Sequence, residues 1–114
     1  MIDQGAQAEK LAVQYLQRNG LKLVEQNYRG RFGEIDLIMQ DGTTLVFVEV
    51  RLRRNGEFGG AAASIDTRKQ QRIVSTAQQY LASLARIPEC RFDVVLMDEI
   101  EQRNMHWLKN TFDA

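Results

Sequence analysis

Apolar residues recur at helical spacing in two stretches of the chain, residues 4 to 19 and residues 66 to 84. In each stretch this period predicts an amphipathic helix with one face turned toward a core. Gly20 ends the first helix, and Pro88 ends the connection that follows the second. The apolar faces consist of Ala8, Leu11, Ala12, Tyr15 and Leu16 in the first helix, and of Ile73, Val74, Ala77, Tyr80, Leu81 and Leu84 in the second.

Two strands joined by a hairpin are predicted between these helices. Residues 33 to 40 alternate between apolar and polar side chains, and residues 44 to 52 are rich in Val, Leu and Phe. The dipeptide Asp41-Gly42 between them is a hairpin signal. The second strand is apolar on both faces, which predicts a central position in the sheet. The residues of the first strand that we expect on one face are Ile35, Leu37 and Met39.

Three further strands complete the predicted sheet: residues 22 to 28, residues 91 to 97 and residues 103 to 109 around Trp107. Residues 54 to 64 contain several glycines and predict a mobile loop. The predicted order is α-β-β-β-α-β-β. This order is typical of the α/β class, with a mixed sheet flanked by helices.

Composition and charge narrow the classes of function. Basic and acidic residues number 15 each, so the chain lacks the overall basicity of many nucleic-acid binders, although a local basic patch fits this balance. The sequence has neither a signal-like N-terminus nor an apolar run of the ~20 residues that cross a bilayer. We therefore expect a cytoplasmic protein without a membrane partner, folded as one domain over residues 1–114. His106 is the only histidine, so any metal would be held by oxygen ligands.

Charged side chains continue an apolar face of the predicted central strand. Glu49 and Arg51 extend the face that Leu45 and Phe47 begin. Burying a charge without a partner is costly, so these residues need a compensating group. The hairpin indicates that this group involves Asp36 on the neighbouring strand.

The register of the hairpin decides how close Asp36 and Glu49 lie. A two-residue loop of Asp41 and Gly42 places them diagonally, and a four-residue loop places them directly opposite each other. Both registers put the carboxylates on one face within ~5–8 Å, whereas a three-residue loop would separate them across the sheet. Like charges so close destabilise a sheet. The compensating group is either a divalent metal or Arg51 in a structural ion-pair cluster.

The spacing from Asp36 to Glu49-Val50-Arg51 resembles the PD-(D/E)xK nuclease signature, in which an acid on one strand precedes acid-x-lysine on the next. A closer resemblance spans nearly the whole chain. It is carried by four segments: Gly5 to Leu16 (GAQAEKLAVQYL), Asn27 to Ile38 (NYRGRFGEIDLI), Leu45 to Val50 (LVFVEV) and Arg91 to Val95 (RFDVV). On these segments the chain is identified as a member of the YraN family, bacterial proteins described as endonuclease-like. The resemblance implies a restriction-endonuclease-like fold, related to archaeal Holliday-junction resolvases.

The resemblance also implies a site for Mg²⁺ or Mn²⁺. Asp36, Glu49 and the Val50 carbonyl would ligate the metal, with Glu9 helping directly or through water. Such a ligand set suits magnesium, which keeps waters and binds substrate phosphate oxygens. Gln70 resembles a glutamine that related resolvases keep near the site.

Arg51 departs from the family pattern, which usually has a lysine at this position. Arginine supplies positive charge but cannot readily release a proton. It can also bind carboxylates bidentately and exclude a metal. If the lysine acts as an electrostatic clamp, Arg51 can replace it in part; if the lysine transfers a proton, activity should fall sharply.

Basic residues close to the implied site predict a surface for phosphate groups, with a solvated rim of charges as the alternative. They are Arg53, Arg54, Arg68, Lys69 and Arg72. Tyr28 and Phe32 flank the turn predicted at residues 29 to 31. For both rings we expect packing within the turn, and stacking on nucleic-acid bases is the alternative.

Three functions remain open at this point. The first is a metal-dependent endonuclease that hydrolyses DNA phosphodiesters, including those of branched DNA. Resolvases act as dimers on symmetric junctions, so a homodimer fits this function. The second is a nucleic-acid-binding module without catalysis, because Arg51 replaces the signature lysine. The third is a protein-interaction module on a nuclease-like scaffold.

Overall fold

The helices and strands follow the predicted order α-β-β-β-α-β-β. A computed structural model describes residues 3–53, 65–98 and 104–112. The loop predicted at residues 54 to 64 lies outside the described residues. The elements are α1 Gln4–Arg18, β1 Lys22–Arg29, β2 Glu34–Asp41, β3 Thr44–Arg53, α2 Thr67–Ala82, β4 Cys90–Asp98 and β5 Met105–Phe112.

The strands form one mixed sheet in the order β1-β2-β3-β4-β5. Neighbouring strands are antiparallel except β3 and β4, which are parallel. A parallel pair needs a crossover connection, and the chain between β3 and β4 includes α2. The central position predicted for β3 is confirmed, and neither described helix is long and apolar enough to cross a membrane.

Helix α1 covers one face of the sheet. The Asp3 carboxylate caps its start by accepting a hydrogen bond from the Gly5 backbone N–H at 2.9 Å. The helix ends before Gly20, which has a φ of 93°. The chain turns there, and the Leu21 backbone N–H donates to the Leu16 carbonyl at 3.1 Å. The cluster beneath α1 is built from Ala8, Ala12, Leu16, Leu37, Met39, Val46, Val48, Val95 and Met97.

Helix α2 covers the opposite face. The Asp66 carboxylate caps its start by accepting a hydrogen bond from the Lys69 backbone N–H at 2.7 Å. The predicted apolar face of α2 is confirmed, because all six of its residues lie in or against the second core cluster. Strand residues in that cluster are Ile35, Ile38, Leu45, Phe47, Phe92, Val94 and Leu96.

The prediction that Ile35 shares a face with Leu37 and Met39 is wrong. Leu37 and Met39 pack beneath α1, whereas Ile35 packs in the α2-side cluster. Strand alternation is interrupted at Asp36, between Ile35 and Leu37. On the neighbouring strand Asn27 has a positive φ of 49°, which fits a local distortion of the β1–β2 pair.

The hairpin turn lies one residue later than the Asp41-Gly42 signal suggests. Asp41 pairs with Thr44, and Gly42, with φ of 61°, is in the turn. The Arg91 guanidinium donates to the Asp41 carboxylate at 2.9 Å, which holds Asp41 in the strand. The resulting register, with Gln40 opposite Leu45, is the one that places Asp36 opposite Glu49.

The last strand extends beyond the predicted end at residue 109. Thr111 Oγ1 donates a hydrogen bond to the Phe92 carbonyl at 3.0 Å. The rings of Phe92 and Phe112 stack at 4.9 Å between centroids. These contacts carry β5 to Phe112 along β4.

Candidate functional site

At Asp36 a side-chain hydrogen bond replaces the backbone hydrogen bonds that join β2 and β3. Backbone pairing between the two strands extends to Leu37 and Val48. One step further, the Val50 backbone N–H donates to Asp36 Oδ2 at 2.9 Å. A side-chain carboxylate thus takes a backbone donor of the central strand, which fixes Asp36 against β3 beside Glu49.

Glu49 is buried with an unsatisfied oxygen. Its residue is 3% exposed, and in residues 3–53, 65–98 and 104–112 its Oε1 is the only buried side-chain nitrogen or oxygen without a hydrogen-bond partner. Burial raises the pKa of Glu49 to about 10, helped by a hydrogen bond with Asp36 and by the Asp36 charge. Lys69 and Arg51 act in the opposite direction. An oxygen in this state needs a proton or a cation.

Glu9 approaches the pair from α1. The Asn27 side-chain amide donates to Glu9 Oε1 at 2.9 Å and to Glu34 Oε1 at 3.3 Å. Burial raises the pKa of Glu9, and the charge of Asp36 adds to this effect, while the Asn27 hydrogen bond lowers it. Glu9 is therefore within electrostatic reach of Asp36.

Two cavities open onto Asp36, one of about 440 Å³ and one of about 350 Å³. The larger, named here the α2-side cavity, is lined by Gly33, Glu34, Asp36, Glu49, Asp66, Arg68, Lys69, Arg72 and Ile73. The smaller, the α1-side cavity, is lined by Gly5, Ala8, Glu9, Asp36, Val50, Arg51, Leu52 and Lys69. Asp36 and Lys69 line both cavities, so they stand where the two spaces adjoin.

The cations predicted for this surface divide between the two cavities. Arg68 and Arg72 line the α2-side cavity, whereas Arg51 lines the α1-side cavity. Lys69 lines both, and its charge lowers the pKa of Glu49 more than that of Arg51 does. Sequence reasoning assigned Lys69 to phosphate binding and missed its proximity to the carboxylates. The sequence feature that could have indicated this proximity is the helix cap Asp66, which places Lys69 in the first turn of α2.

The remaining predicted residues lie elsewhere or cannot be placed. The Gln70 side-chain amide donates to the Ile65 carbonyl at 3.0 Å, and Gln70 lines neither cavity. It thereby secures the chain that enters α2, and its role near the site stays a prediction. The side chain of Arg53 and all of Arg54 fall outside the described residues.

The carboxylates suit a metal that needs few protein ligands. Within the described ranges no three or more His, Cys, Asp and Glu side chains are gathered closely enough to hold an ion. The residues that could hold such an ion are Asp36 and Glu49, and Glu9 and Val50 line the α1-side cavity together with Asp36. Two carboxylates with several waters are a set that Mg²⁺ accepts, and the unpartnered Glu49 Oε1 gives it an oxygen to bind.

Comparisons with known proteins place the chain in a family. The model of the uncharacterised protein family UPF0102 matches residues 8–97. A UPF0102 protein of Nitrosospira multiformis is 54% identical over 110 residues, which cover 96% of this chain and 92% of the relative. One of Nitrosomonas europaea is 50% identical over 111 residues, covering 97% and 94%. One of Cupriavidus taiwanensis is 56% identical over 112 residues, covering 96% and 82%. The chain therefore belongs to the UPF0102 family, which confirms its resemblance to YraN proteins.

Proposed function

We propose that this protein is a divalent-cation-dependent endonuclease that hydrolyses phosphodiesters of DNA. The observation that carries the proposal is the buried, unpartnered Glu49 Oε1 beside Asp36. The cavity above this pair is lined by Arg68, Lys69 and Arg72. A cation site beside these three basic side chains fits a substrate made of phosphate groups, although Glu34 and Asp66 also line the cavity.

Mg²⁺ or Mn²⁺ would be held by Asp36, Glu49 and the Val50 carbonyl, with Glu9 reached through water. When bound, it would lower the pKa of a water and neutralise charge on the scissile phosphate. Asp36 contributes rigidity, because its other oxygen is already fixed by the Val50 backbone N–H. Glu49 contributes a carboxylate whose burial favours the protonated form, so a bound cation would have to displace its proton.

Lys69 supplies the cation that the signature places on β3. Lys69 lines both cavities, whereas of these two cavities Arg51 lines the α1-side one alone. A lysine is a compact charge with mobile donors that can hold a phosphate oxygen or orient a water. Arg51 then adds charge without taking part in proton transfer, and Arg68 and Arg72 position the DNA backbone.

A nucleic-acid-binding module without catalysis is the second candidate. Two observations favour it: Arg51 stands in place of the signature lysine, and the raised pKa of Glu49 keeps its proton on at neutral pH. This module would use Arg68, Lys69 and Arg72 for binding and would leave phosphodiesters intact.

For the first candidate, the endonuclease, the resemblance to resolvases adds branched DNA as a substrate and a homodimer as the acting species.

Cleavage assays on duplex, single-stranded and four-way-junction DNA separate the two candidates. With Mg²⁺ or Mn²⁺ we expect the wild-type protein to cut at least one substrate and Asp36→Asn to lose at least ~100-fold in rate. The asparagine oxygen can still accept the Val50 N–H, so the fold should persist. Asp41→Asn, at the far end of the same strand, is the matched control and should cut normally. Binding by the wild-type protein without cleavage of any substrate would favour the second candidate.

A further inference from the structure

Phe32 places an exposed aromatic ring in the β1–β2 turn. The residue is 54% exposed, and it belongs to neither core cluster. Tyr28, at the other side of the turn, packs edge-on against Tyr80 at 5.1 Å between ring centroids. Tyr28 thus packs against α2, whereas Phe32 is more than half exposed, and the expectation of packing within the turn stays a prediction.

The turn that carries Phe32 is clamped onto α2. The Gly30 backbone N–H donates to the Gly33 carbonyl at 2.8 Å, and the Arg31 N–H donates to Gln79 Oε1 at 2.8 Å. A Cβ atom at Gly30 would lie only 2.7 Å from Gln79 Oε1. The backbone next to Phe32 is thus held close to the helix while the ring faces solvent, which reduces the ordering cost of a contact made by that ring.

The same turn borders the α2-side cavity. Gly33 and Glu34, which follow Phe32 directly, line that cavity opposite the basic side chains of α2. A Cβ atom built on Gly33 would lie 3.8 Å from Arg72 Cβ, so turn and helix are in close contact. A nucleic-acid strand with its phosphates in the cavity would carry its bases past this rim.

We propose that Phe32 is a stacking platform for an unpaired nucleobase of a DNA strand whose phosphates occupy the α2-side cavity. The inference rests on the proposed function and names the structural class of its substrate. An aromatic face binds any base that has left a duplex stack, whereas paired bases are covered by their neighbours. The site therefore favours single-stranded DNA or the open bases of a branch over continuous duplex.

Binding to a short single-stranded DNA tests this inference, with the metal omitted so that no strand is cut. The DNA carries 2-aminopurine, whose fluorescence is quenched when the base stacks. We expect Phe32→Ala to weaken binding by roughly 5- to 100-fold and to abolish the quenching contributed by the protein. Phe32→Trp should retain both. Ile87→Ala, which removes a 74% exposed apolar side chain outside both cavities, is the matched control and should bind normally.

A salt titration separates stacking from phosphate binding. Arg72→Gln should reduce the dependence of affinity on salt, whereas Phe32→Ala should leave that dependence unchanged. If Phe32→Ala binds and quenches like the wild-type protein while Arg72→Gln is weakened, stacking is refuted and the proposed function stands. If the wild-type protein binds no DNA at low salt, both proposals fail.

Discussion

Burial makes the protonation of Glu49 the main electrostatic feature of the candidate site. The pKa of Glu49 is raised, so between its ordinary value near 4.5 and about 10 the folded protein holds a proton that the unfolded chain has released. The free energy of unfolding must therefore fall as pH rises through this window. A glutamine at this position reproduces the protonated form at every pH.

We expect Glu49→Gln to raise the free energy of unfolding by roughly 2–4 kcal/mol at pH 8 and to flatten its dependence on pH. Urea unfolding without divalent metal at pH 5, 7 and 9 measures this. Glu89→Gln, which changes an exposed glutamate, is the control and should follow the wild-type curve. A Glu49→Gln protein that keeps the wild-type slope would show that Glu49 is ionised in the fold.

Single substitutions distinguish the roles of Lys69 and Arg51 in cleavage. Because Lys69 adjoins both cavities, Lys69→Ala should lower the cleavage rate by roughly 100-fold or more, a loss typical of removing a transition-state stabiliser. Lys10→Ala, on the exposed side of α1, is the control. Arg51→Lys should preserve or raise the rate, since it restores the signature lysine. Normal rates for Lys69→Ala, with a large loss for Arg51→Ala, would assign the role to Arg51.

The β4–β5 pair depends on a buried network around Asp93. Asp93 is fully buried, and it accepts hydrogen bonds from Arg91 Nε at 3.1 Å, from Trp107 Nε1 at 2.9 Å and from the Asn110 backbone N–H at 2.9 Å. The strand register shifts between Phe92 and Val94, so the carboxylate takes a backbone donor that the ladder leaves free. This network ties the edge strand to the sheet.

We expect Asp93→Asn to lower the free energy of unfolding by roughly 3 kcal/mol, since it leaves Arg91 and the donors of β5 without their charged partner. Fluorescence of Trp107, the only tryptophan, reports the change during denaturant unfolding. Asp41→Asn removes the more exposed partner of Arg91 and should cost no more than about 1 kcal/mol. Equal effects of the two substitutions would contradict a stabilising role for the network.

Regular periodicity made most elements predictable. The helical spacing of apolar residues predicted α1 and α2. The apolar residues on both faces of β3 predicted its central position, because a central strand is buried on both sides of the sheet. Alternation failed at Ile35, where Asp36 replaces a backbone acceptor of the ladder. No local pattern signals that replacement, since it depends on where β2 and β3 diverge.

The candidate site was only partly predictable for the same reason. Asp36 and Glu49 are joined by a short hairpin, so two of three registers put them on one face, and the structure has one of these two. Lys69 reaches them from α2, and its position depends on how the helix docks on the sheet rather than on sequence spacing. One sequence feature points to the Asp93 network: Arg91 and Asp93 are two residues apart on a strand and therefore share a face.

At the scale of the whole molecule, charge is balanced but unevenly distributed. The chain has no net charge, yet acidic and basic groups meet around Asp36, where Glu9, Glu34 and Glu49 face Arg51, Arg68, Lys69 and Arg72 across two adjoining cavities. A balanced overall charge with charged side chains gathered around these two cavities predicts weak general attraction to DNA and binding concentrated at the cavities. We therefore propose that a cation bound by Asp36 and Glu49 completes this site.

Calorimetric titration of Mg²⁺ and Mn²⁺ into the wild-type protein and Asp36→Asn tests this claim most directly. We expect one site per chain in the wild-type protein, with proton release revealed by heats that change with the ionisation enthalpy of the buffer, because Glu49 must lose its proton. Asp36→Asn should lose the site, and Asp41→Asn should retain it. Absence of a saturable site in the wild-type protein, or equal binding by Asp36→Asn, would contradict the account.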